Sequence, residues 1–146
     1  MAAEWSQPHH TPRAPSKAVM PALPAGWITV EGVYARFYGP LDNTPALARL
    51  SEHADTSIPA IADKLQTSAL PILHIYVVDS NKDFVNLQPG APPHWADATA
   101  WPQHRLIFLR AQSLRSGVAR PQKQVLDHEI THVLLGQVFG AKPIPH

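Results

Sequence analysis

Residues 127–146 read DHEITHVLLGQVFGAKPIPH. Two histidines, His128 and His132, stand four positions apart, and Glu129 directly follows the first. On an α-helix, positions four apart differ by about 40° and lie about 6 Å apart along the axis. Both imidazoles then project from one face and can reach one ion. Zinc accepts neutral imidazole at about 2.0–2.1 Å in a tetrahedral shell, so His128 and His132 are the expected metal ligands. Glu129 lies about 100° round from His128, off the ligand row but close enough to reach a water on the metal. The surrounding residues support a helix. Pro121 is expected to open it, Gly140 to cap it and Pro143 to stop it. Val125, Leu126, Ile130, Val133, Leu134 and Val138 fall on the arc away from the histidines, where a sheet can cover them.

Upstream of this helix, Ser113–Arg120 reads as loop and RLIFLR (105–110) as a strand. WADATAW (95–101) alternates weakly, and residues 84–87 form a candidate short strand after a turn at DSNKD (79–83). ILHIYVV (72–78) is a short apolar run, expected to be a strand buried on both faces. Leu47, Leu50, Ala54, Ile58, Ile61 and Leu65 recur at spacings of three and four, the mark of one apolar helical face. Thr44 is the expected N-cap of that helix, with Pro45 at its first position. Pro59 should kink or split it. WITVEGVYARFY (27–38) reads as one or two strands with a turn or bulge at Glu31-Gly32, ended by Gly39-Pro40. The order strand, helix, strands, helix predicts an α+β layer.

Residues 1–26 carry Pro8, Pro12, Pro15, Pro21 and Pro24 and are expected to form a disordered, Pro-rich tail before a domain over 27–146. At 146 residues the chain holds one domain, or one domain and a tail, with 45% hydrophobic and 16% charged residues. A formal charge of +1 gives no electrostatic case for a nucleic-acid partner or an anionic membrane. No apolar run is long enough for a membrane segment, and Pro21 and Pro24 break the nearest candidate export signal. A cytoplasmic location is therefore the default expectation, and nothing sets an oligomeric state. With no Cys, any metal must be held by histidines and carboxylates. Among the other histidines, His9 and His10 read as solvated tail and His74 as a hydrogen-bonded core or strand-edge residue. His53, His94 and His104 read as surface.

QVLDHEITHVLLGQ (124–137) resembles the peptidase MA-like domains, a branch of the gluzincins, the thermolysin-like zinc metallopeptidases. PILHIYVVDSNKDF (71–84) and PPHWADATAWPQHRLIFLR (92–110) are similar to that family in order and spacing, so the resemblance covers roughly 27–146. It implies a small mixed sheet packed against a long N-terminal helix and an HExxH active-site helix, the zincin N-terminal subdomain. His128 and His132 match the zinc ligands, and Glu129 matches the catalytic base. The segment Ala96, Asp97, Ala98, Thr99, Ala100 and Trp101 looks like the edge strand that pairs with substrate backbone. Residues 105–110 look like its neighbour. The implied activity is hydrolysis of a peptide or protein substrate by a zinc-activated water, with Glu129 as general base. The resembled family is often extracytoplasmic.

The family's third ligand is a Glu on a second helix, after a Pro-x-Trp stretch and within an Asn-Glu-Gly-like motif. AKPIPH looks like the approach to that stretch, and no Glu follows Glu129. The expectation is a domain incomplete at its C-terminus, with His146, fourteen positions beyond His132, as the nearest other candidate ligand. A metzincin would need glycine at position 135 and histidine at 138, where this chain has Leu135 and Val138. The phage-repressor-cleaving HExxH proteins share an HExxHxLLG-like helix and remain an alternative. So do a catalytically silent zincin-like domain or fragment that binds a peptide or partner, and a structural metal domain closed by His146.

Overall fold

The structure, a computed structural model, describes residues 20–68, 70–92, 96–111 and 121–139. Expectations for residues 1–19, the loop at 113–120, His94, Trp95, Gly140, Pro143 and His146 lie outside the described residues. The fold is α+β, a five-stranded mixed sheet with helices.

Chain reversal at Gly26, whose φ of 82° suits a residue without Cβ, leads into β1 (Trp27–Glu31). β2 (Ala35–Pro40) pairs antiparallel with β1, from Trp27 opposite Pro40 to Glu31 opposite Arg36. The turn at Glu31-Gly32 is present, and β2 ends at Gly39-Pro40 as expected. Gly32 makes a close approach to the following helix there. A Cβ on it would lie 2.8 Å from both Asp55 Oδ1 and Ser51 Oγ of the following helix.

A single 3-10 turn, Leu41–Asn43, then feeds α1 (Thr44–Lys64). Asn43 takes the N-cap position, one residue before the expected Thr44. The Thr44 hydroxyl donates back to Leu41 O at 2.6 Å, so it serves the 3-10 turn and not the helix end. Pro59 does not split α1. One backbone hydrogen bond is lost, but Ala54, Ile58 and Ala62 on both sides of it are buried, and packing outweighs the local defect.

β3 (Leu73–Val78) lies at the centre of the sheet, parallel to β2 and to β5 (Leu106–Arg110). Between them, residues 84–87 are not a strand. Asn81–Asn86 form the short helix α2, because the Ser80 hydroxyl caps it by accepting from Asp83 N at 3.1 Å. β4 (Ala98–Trp101) returns antiparallel to β5, giving the order β1-β2-β3-β5-β4 with β4 at an edge.

Alternation along the strands sorts two cores. Phe37, Ile75, Val77, Ala98, Ala100, Ile107 and Leu109 face α1 and the last helix, α3 (Gln122–Phe139). On the opposite face Tyr76, Val78, Leu106 and Phe108 pack with Phe84 of α2. Tyr38, Tyr76 and Phe108, neighbours on β2, β3 and β5, stack with centroids 4.6 and 4.9 Å apart. α1 and α3 run side by side in the same direction. Ala46, Arg49 and Leu50 share a crevice with Pro121, Gln122 and Lys123, and one to two turns on His53 and Ser57 meet Asp127.

Candidate metal centre on the HExxH helix

α3 buries Val125, Leu126, Ile130, Val133 and Leu134, as the pattern requires. Val138 departs from it, at 48% exposed. Asp127 sits beside residues 53 and 57 of a helix that ends at Lys64, whereas Val138 comes eleven positions after Asp127. The last turn of α3 therefore outruns α1.

His128 and His132 are both half-buried, and their Nε2 atoms lie 3.1 Å apart. The rings meet edge to face at 86°, with centroids 4.6 Å apart. Two nitrogens each about 2.0–2.1 Å from one tetrahedral zinc ion would stand about 3.3 Å apart. The donor set therefore fits two corners of a zinc shell. Among the described residues no group of three His, Cys, Asp or Glu side chains could hold a metal ion, so no third ligand joins the pair there.

Glu129 is 3% exposed, in the same helix sector as Gly136, two turns on. That sector faces the edge strand. A Cβ on Gly136 would come within 2.3 Å of Pro102 Cβ, just after β4, and Gln137 Nε2 donates to Pro102 O at 2.9 Å. Glu129 therefore leaves α3 from the sector whose later turn meets the end of β4.

Of the segment Ala96–Trp101, only Ala98–Trp101 is strand, and Ala96 and Asp97 lead into it. Its polar side chains are already engaged. Thr99 Oγ1 and Trp101 Nε1 donate to Gln88 Oε1 at 2.5 and 2.8 Å, and Gln88 Nε2 donates to Phe84 O at 2.7 Å. Arg110 Nε donates to Ala96 O at 2.7 Å, and its guanidinium lies 3.9 Å over the Phe84 ring. What β4 can offer a ligand is the backbone of its outer edge, where no strand pairs among the described residues.

His53, expected at the surface, is half-buried and has a polar partner. Its Nε2 lies 2.9 Å from Asp127 Oδ1, and Ser57 Oγ donates to the same oxygen at 2.7 Å. Sequence reasoning missed this cluster. The available signal was the spacing of His53 and Ser57, which places them on one edge of α1. His74 is hydrogen-bonded as expected, with Nδ1 2.9 Å from the Tyr38 hydroxyl. Burial, then Arg105 and Arg36, push its pKa below the ordinary histidine value, and burial alone does the same to His104, which is partly covered.

No family model matches the chain, and no curated protein matches it in sequence. Among the described residues no helix is long and apolar enough to cross a membrane.

Proposed function

We propose that this domain is of the zincin type, resembling the peptidase MA-like gluzincins, and acts in zinc-dependent hydrolysis of peptide bonds. The observation that carries the reading is the convergence of His128 and His132 Nε2 at 3.1 Å on one helix, with Glu129, the residue after His128, buried beside them. His128 and His132 would hold zinc. When bound, zinc supplies Lewis-acid polarisation of a water and of the scissile carbonyl. Glu129 takes the proton of the attacking water on its carboxylate and returns it to the leaving amine. The outer edge of β4 aligns an extended peptide by backbone hydrogen bonds.

A second reading is favoured by the lack of a third ligand group among the described residues: a silent domain that binds peptide along β4 without cutting it. A quenched-peptide assay on zinc-loaded protein separates the two. Cleavage by the wild-type chain that Glu129→Gln abolishes, with zinc and fold retained, supports hydrolysis. Loss of zinc in Glu129→Gln, or undiminished cleavage, contradicts the general-base role. Peptide binding without cleavage by either protein favours the silent reading.

A further inference from the structure

We infer that His53 and Ser57 of α1, acting through Asp127, are positioning residues that set the rotation of the HExxH helix and so aim the histidine pair. The inference rests on the proposed role of His128 and His132, and adds residues that lie outside the motif.

Asp127 directly precedes His128, so its side chain leaves the helix about 100° to one side of that ligand. Its Oδ1 takes two donors, Ser57 Oγ at 2.7 Å and His53 Nε2 at 2.9 Å. Those donors are four apart on α1 and therefore share a face. Ser57 is 9% exposed, the His53 side chain 24% and the Asp127 side chain 37%, so the donors are shielded while the carboxylate keeps one side to water. Hydrogen bonds to a carboxylate are about twice as strong as neutral ones.

Gly136 comes eight positions after His128, about 80° to its other side. There the helix backbone is pressed against Pro102, close enough that a Cβ would collide at 2.3 Å. The ligand pair thus lies between two anchors: a polar one to α1 and a steric one to the end of β4. The steric contact blocks a roll toward Pro102, and a roll away from it is resisted there only by the exposed Gln137–Pro102 hydrogen bond. The Asp127 bridge opposes that roll. Apolar packing of Val125, Leu126, Ile130 and Val133 is nondirectional and fixes rotation less sharply.

The test follows the imidazole ¹⁵N–¹H correlations of His128 and His132 in the metal-free protein, and Co²⁺ affinity by chelator competition. Asp127→Ala, Ser57→Ala and His53→Ala should displace both sets of ligand resonances while the Tyr76 and Phe108 ring signals stay in place. Co²⁺ binding should weaken about tenfold or more, the scale seen when groups that orient metal ligands are removed. Ser57→Thr and His53→Gln keep a donor at each position and should restore the wild-type values. If Asp127→Ala does not fold, Ser57→Ala carries the comparison. Unmoved ligand resonances overturn the inference, as do moved resonances with unchanged Co²⁺ affinity. If the wild-type chain binds no Co²⁺, the metal reading fails, and the resonances still decide whether the bridge positions the pair.

Discussion

Tyr76 sits at the centre of the aromatic stack, 0% exposed, and its hydroxyl has no hydrogen-bond partner among the described residues. Burial also raises its pKa. A buried unpartnered hydroxyl costs about 1–3 kcal/mol, so Tyr76→Phe should leave stability unchanged or raise it in urea denaturation. A loss of more than about 1 kcal/mol would mean the hydroxyl has a partner. Gly136 makes the opposite case. Alanine there must displace Pro102, an overpacking that costs about 1–3 kcal/mol, and the thermal midpoint of Gly136→Ala should fall accordingly. His74 links the residue scale to pH. Its pKa is lowered in the folded state, so the unfolded chain binds more protons between that value and 6.5. Stability from this residue is therefore complete above 6.5 and is lost as pH falls below it. Denaturation midpoints at about pH 7 and about pH 5 should differ less in His74→Gln than in wild type. His104, shifted the same way, retains part of the difference.

At the scale of elements, Gln88 joins α2 to β4. Gln88→Leu would strand the Thr99 hydroxyl and the Trp101 ring N–H, at about 1–3 kcal/mol for each, and should loosen β4 in amide hydrogen exchange before β3. Faster exchange confined to the β1–β2 hairpin would contradict that account. β3 was legible as a continuous apolar run that suits a strand buried on both faces. The three–four spacing in α1 was legible because it repeats several times within one element. α2 was missed because Phe84-Val85 is as apolar as a strand. The deciding feature was one cap, Ser80, whose partner is three residues away. The split allowed for at Pro59 does not occur: its local cost is visible in sequence, whereas the burial of Ile58 and Ala62 that offsets it is not.

For the molecule as a whole, the sheet puts its two long helices on one face and α2 on the other. The HExxH helix is thereby wedged between α1 and the end of β4. The motif itself was readable from spacing alone, since four residues on a helix decide which side chains meet. The Asp127 bridge was not, because it joins positions 70 and 74 residues apart in the chain. Leu126 and Ile130, both 0% exposed, hold the helix on the sheet. The central claim is that this placement makes His128 and His132 one metal site. Zinc content of the metal-loaded, desalted protein by elemental analysis tests it most directly, with His128→Ala, His132→Ala and the double variant alongside, each checked for fold by circular dichroism. The account predicts about one zinc per wild-type chain, reduced in each single variant and absent from the folded double variant. Zinc content unchanged in the double variant, or no zinc retained by the wild-type chain, would contradict it.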